Sequence, residues 1–353
     1  MNILDLFSGC GGISLGFKLA GFNISGGVDI DPDSIKTFQK NFPKSKAICE
    51  SLLEYSDDKI LEDFGDEEIE VIVGGPPCQG FSSANRWNKE NADPRNKLFF
   101  EYLRFVELLK PKAVVIENVR GILTRDKGFA KERIEKLLKD LGYTVDCKVL
   151  NASDYGVPQN RLRAFFVAIR NDYKEVFDFE QLNQKPKVTV KEAIGELYDL
   201  DEKPRDKLTS KPQNNYLKYL RKENQEIYNH DTKYPAKLTQ ERISHVPQGG
   251  NWANIPNELF PNNRTNRHSS AFKRLDEQAC SVTIDTGNAH SNYFHPLYNR
   301  IPTVREAARI QSFKDDFILE GSRTSQYRQI GNAVPPLLAK AVADELKKYL
   351  DKK

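Results

Sequence analysis

The stretch Ile3-Leu4-Asp5-Leu6-Phe7-Ser8-Gly9-Cys10-Gly11-Gly12 places a short apolar strand directly before a glycine-rich turn. A helical pattern follows over residues 13–20, and a second apolar strand over residues 24–28 leads to Asp29. A strand, a tight turn, a helix and another strand in this order are typical of an α/β protein with a parallel sheet.

The alternation of strands and helices continues beyond this first segment. Apolar or alternating runs predict further strands at residues 71–73, 113–116, 143–150 and 163–169. Amphipathic patterns predict helices at residues 34–41, 98–109, 129–141 and 335–349. The pattern therefore predicts an α/β fold with a doubly wound, mostly parallel, Rossmann-like sheet and a smaller inserted domain.

In open sheets of this kind, ligands bind beyond the carboxyl ends of the strands. Residues with reactive or hydrogen-bonding side chains, or with the backbone freedom of glycine, fall at those ends: Asp5, Gly9, Asp29, Cys78 and Glu117. We therefore expect one functional site at this edge of the sheet.

The composition is that of an ordinary soluble protein. The 353 residues are 29% charged and 39% hydrophobic, with a net charge of +3. No apolar stretch is long enough for a membrane span and no signal peptide is visible, so a cytoplasmic protein is expected. The five cysteines are widely spaced, which indicates free thiols. All five histidines lie at or beyond His230, and no metal is expected.

The glycine-rich turn and the acid that follows it point to a nucleoside-containing cofactor. Gly9, Gly11 and Gly12 allow a tight turn and close approach of a ligand, although such a turn can also be purely structural. Asp29, at the end of the second strand, suits ribose hydroxyls, and Ile30 beside it could pack on a purine. The turn lacks the lysine of a phosphate-binding loop, so S-adenosylmethionine fits better than NAD or ATP.

A single cysteine follows the strand at residues 71–73, in Gly74-Gly75-Pro76-Pro77-Cys78-Gln79-Gly80-Phe81-Ser82. No other cysteine lies within twenty residues of Cys78, which excludes a CxxC redox pair and a metal knuckle. A lone thiol on a stiff turn at the end of a strand is well placed to be a nucleophile. The alternative is a buried structural cysteine.

Taken in order, these motifs resemble the DNA (cytosine-5)-methyltransferases of the restriction–modification type. The resemblance covers nearly the whole chain outside residues 186–275. Its motifs are Asp5 to Gly12, Asp29, Gly75-Pro76-Pro77-Cys78-Gln79, Asp93-Pro94-Arg95 with Leu98-Phe99, Glu117-Asn118-Val119, Gln159-Asn160-Arg161-Leu162-Arg163, Thr303 to Gln311, and Gly331-Asn332-Ala333-Val334-Pro335.

The resemblance implies an S-adenosylmethionine site formed by residues from both ends of the chain. The expected cofactor-binding residues are Asp5, Phe7, Gly9, Gly11, Gly12, Asp29, Ile30, Glu50, Ser51, Pro76, Leu98, Asn332 and Val334. One departure is visible, since the chain has Glu50-Ser51 where the family often places an aspartate that contacts the adenine.

The resemblance also implies the catalytic residues Cys78, Glu117, Arg161 and Arg163. The Cys78 thiolate would add to C6 of cytosine, because C5 alone is too weak a nucleophile to take a methyl group. Glu117 would protonate or bind N3 if burial raises its pKa. Arg163 would hold the O2 oxygen, and Arg161 would brace the site or contact a phosphate. Because C5 is inaccessible in a stacked duplex, the base must be flipped out.

Two parts of the chain are expected to contact DNA. Residues 80–97 look like a lid loop, in which Arg86 and Arg95 could meet phosphates. Between Arg205 and Arg274 there are thirteen Lys or Arg against six Asp or Glu, so positive charge is concentrated there. Amides and arginines suit base edges, which suggests Gln248, Asn251, Arg264 and Arg267 as readers. Such residues are also common in ordinary turns.

The expected organisation is a catalytic domain at residues 1–185, a target-recognition domain at 186–299, and a return to the catalytic domain at 300–353. The expected partners are double-stranded DNA and a cognate restriction endonuclease, for a monomer associated with the nucleoid. Two alternatives stay open: the same chemistry on an RNA cytosine, and a catalytically silent DNA-binding module. The basic middle region argues against the first, and the intact Cys78, Glu117 and Arg163 argue against the second.

Overall fold

The computed structural model describes residues 1–77, 94–201, 203, 206–260, 272–286 and 293–352, with the backbone alone at 94–96 and 126. The chain divides into two compact units. The first, here called the sheet unit, comprises Met1–Asn151, Leu162–Gln184 and Val334–Lys353. The second, here called the insert unit, comprises Ala152–Arg161 and Lys185–Ala333. The domain boundaries expected from the sequence stay a prediction.

The sheet unit is built on seven strands. In chain order they are β1 (Asn2–Leu6), β2 (Asn23–Asp29), β3 (Lys46–Cys49), β4 (Ile69–Gly74), β5 (Ala113–Val119), β6 (Tyr143–Asn151) and β7 (Leu162–Arg170). Their order across the sheet is β3-β2-β1-β4-β5-β7-β6. All neighbouring strands are parallel except β7, which runs antiparallel to both β5 and β6.

Among the residues that the structure describes, six helices accompany these strands in the sheet unit. They are α1 (Gly12–Leu19), α2 (Pro32–Asn41), α3 (Asp57–Phe64), α4 (Pro94–Leu109), α5 (Phe129–Asp140) and, from the far end of the chain, the helix Pro336–Leu350. The helix Pro336–Leu350 packs tightly on α1, since a Cβ on Gly16 would lie 2.5 Å from Ala339 Cβ. The α/β fold predicted from the sequence is confirmed.

The core of the sheet unit lies on both faces of its central strands. β1, β4, β5 and β7 are buried along most of their length, as expected for strands covered by helices on both sides. The order of the strands reverses between β1 and β4, because β2 and β3 lie on one side and β5 on the other. Ligand sites of open α/β sheets form at such a switch point.

The insert unit consists of short elements. Its helices are α6 (Val190–Ile194), α7 (Asn215–Leu220), α8 (Lys237–Ser244), α9 (Val304–Ile310) and α10 (Arg323–Asn332), so that the helix Pro336–Leu350 is α11. Its strands have two residues each: β8 (Lys207–Leu208), β9 (Gln225–Glu226), β10 (Lys273–Arg274) and β11 (Tyr293–Phe294). In the described ranges of the chain, no helix combines the length and apolar character that crossing a membrane requires.

A buried ionic network holds part of the insert unit together. Arg300 donates to both Asp201 and Glu306, at 2.8 Å, and the side chains of Arg300 and Glu306 are fully buried. His295 Nε2 lies 3.5 Å from Glu306 Oε1. Paired charges are the form in which ionic side chains are tolerated in a protein interior. This network therefore links α9 to the segments before it.

Candidate functional site

The turn after β1 is shaped by two glycines and one carboxylate. Gly9 adopts φ +52°, and a Cβ placed on it would meet no atom within 4 Å, so open space lies beside it. Its amide donates to Asp29 Oδ2 at 2.8 Å, which ties the turn to the end of β2. Gly11 adopts φ +92°, and a Cβ there would lie 2.5 Å from the Phe42 ring. A side chain at this position would be both strained and clashing.

Asp29 and Ile30 occupy the carboxyl end of β2. Asp29 Oδ1 accepts from the Asp31 amide at 2.9 Å, and burial raises the pKa of this carboxyl above its ordinary value. A carboxylate has further lone pairs, so Asp29 can still accept hydroxyl donors. The side chain of Ile30 is 71% exposed. An exposed apolar side chain beside a hydrogen-bond acceptor suits a base attached to a ribose.

Asp5 lies beneath the turn and is completely buried. Ser14 Oγ donates to its Oδ2 at 2.6 Å, and burial raises its pKa to about 7. Its other oxygen, Oδ1, has no hydrogen-bond partner among the described residues. An unsatisfied buried oxygen is costly unless a ligand or water completes it. Together with the open space at Gly9 and the exposed Ile30, this arrangement fits a nucleoside-containing cofactor.

The end of β3 supplies the neighbouring rim of this site. The Glu50 amide donates to the Asp29 carbonyl at 3.0 Å, and the Glu50 carboxylate is paired with Lys59. Ser51 Oγ accepts from the Leu53 amide at 3.3 Å. At the end of β1, Phe7 adopts φ +60°, a conformation that is uncommon for a bulky residue and that marks a constrained position.

Two charged side chains meet at the ends of β5 and β7. Arg163 Nε lies 2.9 Å from Glu117 Oε1, with the side chains only 16% and 12% exposed. The antiparallel register pairs Val119 with Arg163, which places the arginine beside the glutamate two residues earlier. A second nitrogen of Arg163 donates to the Leu162 carbonyl at 2.9 Å. The sequence assigned both residues to one site, and the structure brings them together.

The end of β5 also holds the turn that leads to the predicted nucleophile. Asn118 Nδ2 donates to the Pro76 carbonyl at 2.9 Å, and Asn118 Oδ1 accepts from the Val119 amide at 3.0 Å. A Cβ on Gly75 would lie 3.3 Å from Glu117 Oε2. Pro76 is buried, and the described chain stops one residue later, at Pro77.

Some predicted residues lie outside the described part of the chain. They are Cys78, Arg86, Arg264, Arg267, the side chain of Arg95, and residues 80–93 of the predicted lid. Among the remaining cofactor residues, Leu98 is half-buried on α4 and Val334 is buried in the sheet unit. Asn332 ends α10 in the insert unit and is exposed.

Arg161 is a buried residue of the insert unit, only 1% exposed. Its terminal nitrogens donate to the carbonyl of Ile284 at 2.9 Å and to that of Gly331 at 2.7 Å. These contacts are those of a residue that braces the backbone.

The two described candidates for DNA reading both have partners within the insert unit. Gln248 donates to Glu277 Oε2 at 3.0 Å and accepts from the Glu277 amide at 2.9 Å. Asn251 accepts from the Ala253 amide at 3.0 Å as the cap of a short 3₁₀ helix. Gln248 is exposed and held in one orientation, whereas Asn251 has a structural role in this loop.

The structure adds supporting residues that sequence reasoning did not assign to a role. Ser14 fixes one oxygen of Asp5, and Asn118 fixes the turn before Cys78. The sequence signal for Asn118 was its position in the motif Glu117-Asn118-Val119. Nothing in the helical pattern of residues 13–20 distinguishes Ser14 from any other small residue.

Comparisons with known proteins point to one family. The family model described as C-5 cytosine-specific DNA methylase matches residues 1–348. The chain is 38% identical over 349 residues to the Type II methyltransferase M1.HphI of Haemophilus parahaemolyticus, covering 99% of this chain and 87% of that protein. It is 36% identical over 381 residues to the Type II methyltransferase M.DdeI of Desulfomicrobium norvegicum, covering 99% and 89%.

Solved structures show the same fold. A prophage-encoded protein of E. coli matches with a TM-score of 0.79 and 29% identity, covering 100% of both chains. A DNMT2 of Spodoptera frugiperda matches with a TM-score of 0.61 and 18% identity, covering 99% of both chains. At that identity, the second likeness bears on the fold alone.

Proposed function

The chain belongs to the C-5 cytosine-specific DNA methylases and is a DNA (cytosine-5-)-methyltransferase, and from this premise we propose that it methylates C5 of cytosine within one specific double-stranded DNA sequence by way of a Cys78 thiolate. The observation that carries the proposal is the Glu117–Arg163 pair at 2.9 Å, next to the turn that leads to Cys78. These are the groups that activation of a cytosine ring requires.

S-adenosylmethionine, when bound, supplies the methyl group as an electrophile. Asp29 would accept hydrogen bonds from the ribose hydroxyls, and Ile30 would cover one face of the adenine. The turn at Gly9, Gly11 and Gly12 allows the ligand to approach the backbone. Phe7, Asp5, Glu50, Ser51, Pro76, Leu98, Asn332 and Val334 complete the proposed set of cofactor residues.

Cys78 begins the reaction on the base. Its thiolate forms a bond to C6, and the electron pair of the C5–C6 double bond becomes available at C5. The negative charge that spreads to N3 and O2 is met at N3 by the proton of Glu117, in the protonated form of its carboxyl group, and at O2 by a hydrogen bond from Arg163. The contact between Arg163 Nε and Glu117 Oε1, at 2.9 Å, orients both groups before the base arrives, so that little reorganisation is needed in the transition state.

The second half of the reaction restores the aromatic ring. After methyl transfer, C5 carries both the new methyl group and its original hydrogen. A base, for which water is a sufficient candidate, takes that hydrogen as a proton. The electron pair re-forms the C5–C6 double bond, the C6–S bond breaks, and Cys78 leaves as a thiolate.

The target base must leave the duplex for this chemistry, because C5 is covered in a stacked helix. Residues 80–97 are proposed as the lid, with Arg86 and Arg95 on phosphates. Gln248, Asn251, Arg264 and Arg267 are proposed as base readers. Arg161 is proposed as a positioning residue, since both of its terminal nitrogens donate to backbone carbonyls.

The biological role proposed is that of the modification enzyme of a restriction–modification system. The support is that curated relatives covering 99% of the chain are named Type II methyltransferases. A cognate endonuclease would recognise the same DNA sequence, and the enzyme would act as a monomer on DNA in the cytoplasm. Duplex DNA is preferred over RNA as the substrate because of the positive charge concentrated between Arg205 and Arg274.

The test is to incubate plasmid DNA with the protein and S-adenosylmethionine and to map 5-methylcytosine by bisulfite sequencing. We expect modified cytosines in one fixed context for the wild type and none for Cys78→Ser. Cys147→Ser, at a half-buried cysteine on β6, is the matched control and should retain activity. Unmodified DNA, from a folded wild-type protein that binds S-adenosylhomocysteine, would exclude duplex DNA as the substrate and direct the assay to tRNA.

A further inference from the structure

Helix α10 ends at Asn332, and the last carbonyl groups of a helix need donors from outside it. Gln311 Nε2 donates to the carbonyls of Ile330 and Ala333, at 3.0 and 2.8 Å. The Arg161 guanidinium donates to the Gly331 carbonyl at 2.7 Å. Two side chains from elsewhere in the insert unit therefore close the end of this helix.

Gln159 completes this arrangement. Its Nε2 donates to Gln311 Oε1, and its Oε1 accepts from the Ile284 amide at 2.8 Å. Gln159 and Gln311 are 0% exposed and Arg161 is 1% exposed. Buried amides are tolerated when both of their ends are hydrogen-bonded, and here both ends of each glutamine are used. We name these three residues, Gln159, Arg161 and Gln311, the α10 clamp.

The chemistry of the partners fixes the orientation of each amide. A carbonyl oxygen can only accept, so Gln311 must turn its NH2 group to the Ile330 and Ala333 carbonyls and its oxygen to Gln159. Gln159 must in turn present its NH2 group, because its oxygen faces the Ile284 amide. The clamp has a single arrangement, and the loss of either amide leaves buried backbone groups unpaired.

Asn332 lies inside the stretch that the clamp holds. The carbonyls on either side of it, those of Gly331 and Ala333, are both bonded by the clamp. The Asn332 side chain is exposed and has no hydrogen-bond partner among the described residues. Its backbone is therefore fixed while its amide stays available to a ligand.

We propose that Gln159 and Gln311 are positioning residues that set the affinity for S-adenosylmethionine by fixing the backbone of Asn332. The proposal rests on the role given to Asn332 in the proposed function. Neither glutamine touches the cofactor in this scheme. Each one acts by keeping the end of α10 in the conformation that binds, so that binding does not have to order it.

Gln311→Met tests the proposal, since methionine keeps the length of the side chain and removes its hydrogen bonds. We expect the Kd for S-adenosylhomocysteine, measured by isothermal titration calorimetry, to rise roughly tenfold, the equivalent of about one hydrogen bond. The double variant Gln311→Met with Asn332→Ala should bind no more weakly than Asn332→Ala alone, because the clamp acts through Asn332.

Gln329→Met is the matched control. Gln329 is a buried glutamine of the same helix, 3% exposed, and donates to the Glu320 carbonyl at 3.0 Å and to Ser325 Oγ at 3.2 Å. Its replacement should lower the thermal unfolding midpoint, as Gln311→Met does, and leave the Kd unchanged. Equal weakening of binding in both variants would mean general destabilisation and would overturn the proposal.

Two further outcomes distinguish a failure of the clamp from a failure of the role proposed for Asn332. If Asn332→Ala weakens binding and Gln311→Met does not, the clamp is not a positioning device. If Asn332→Ala itself leaves the Kd unchanged, the role of Asn332 in the proposed function is wrong, and the proposal falls with it. Should Gln311→Met fail to fold, Gln159→Met takes its place, because Gln311 can then keep its bonds to the α10 carbonyls. It should weaken binding in the same direction.

Discussion

At the scale of single residues, the position of the Glu117 carboxylate is fixed from two sides. Arg163 bonds one oxygen at 2.9 Å, and Gly75 leaves just enough room beside the other. Because the proposed hydrogen bond to N3 depends on the position of this carboxyl group, small displacements should reduce the rate of reaction. The absence of a side chain at Gly75 therefore helps to fix this carboxylate, together with Arg163.

We expect Gly75→Ala to lower kcat about 3- to 10-fold, because a Cβ 3.3 Å from Glu117 Oε2 requires the carboxylate to shift by a few tenths of an ångström. The dissociation constant of S-adenosylhomocysteine should stay at the wild-type value. Steady-state methylation of a DNA oligonucleotide measures the first quantity, and calorimetry measures the second. Gly121→Ala is the control, since a Cβ there meets no atom within 4 Å. A wild-type kcat for Gly75→Ala would contradict this account of Glu117.

At the scale of secondary structure elements, the contact between α1 and α11 is unusually close. A Cβ on Gly16 would lie 2.5 Å from Ala339 Cβ and 2.6 Å from the Pro336 carbonyl oxygen. Helices approach this closely only where a small residue faces the partner backbone. The first and the last helix of the sheet unit are thus joined through one glycine.

Gly16→Ala should destabilise the protein by about 1–3 kcal/mol, the usual cost of overpacking. The gain in helix propensity from glycine to alanine is at most about 1 kcal/mol and does not offset it. The free energy of unfolding in urea measures the effect. An unchanged or raised value for Gly16→Ala, with Gly121→Ala as reference, would show that the two helices can separate at no cost.

The sequence predicts the elements that have strong periodicity and misses those that do not. β1, β4 and β5 are apolar runs bounded by turns, and β2 lies between a helix and an acid-ended turn, so these strands were predictable. β3 has four residues and a half-exposed pattern, and α3 buries only Ile60 and Phe64. The antiparallel direction of β7 depends on its pairing with β5 and β6, which local pattern does not encode.

The candidate site likewise has features that the local sequence predicts and contacts that it does not. Glycine turns and acids at strand ends are local features, so the sequence predicts Gly9, Asp29 and Glu117 at the carboxyl ends of strands, where the structure places them. The contacts that orient them are long-range, as in the bonds from Asn118 to Pro76 and from Gly9 to Asp29. The cap that Asn251 forms and the bonds between Gln248 and Glu277 are likewise not visible in the residue types alone.

At the scale of the whole molecule, buried titratable groups in the two units respond oppositely to pH. In the insert unit, burial lowers the pKa of His295 from 6.5 to about 4. Although burial alone would raise it, the pKa of Glu306 is lower than its ordinary value because of the nearby Arg300. Below pH 6.5 the unfolded chain binds a proton at His295 that the folded chain does not bind. The stability of the folded state therefore decreases as the pH falls towards 4. Burial also lowers the pKa of His230.

The contribution of Asp5, in the sheet unit, to stability depends on pH in the opposite direction. Its pKa is raised from 3.8 to about 7, so the folded state binds a proton that the unfolded state has released between these values. Its contribution to stability is full below pH 3.8 and declines as the pH rises to 7. Between pH 4 and 6.5 the contributions of Asp5 and His295 therefore oppose each other.

We expect His295→Asn to reduce the loss of stability between pH 6.5 and pH 4, because asparagine carries no titrating group there. Its oxygen can accept the amides of Leu297 and Tyr298, which His295 Nδ1 now accepts at 3.1 Å. Urea unfolding at pH 7.5 and pH 5 measures the difference. His245→Asn, at an exposed histidine, is the control. An unchanged difference between the two pH values in His295→Asn would contradict the assignment.

The pairing of α1 with α11 has a consequence for biosynthesis. The partner of α1 is encoded more than 300 residues after it, and at 5–20 residues per second a ribosome needs about 15–60 s to reach it. Throughout that time the side of α1 that packs on α11 has no partner on the nascent chain, and chaperones can bind it there. A chain that ends before α11 lacks the helix on which Gly16 packs, so we expect it to be less stable than the full chain.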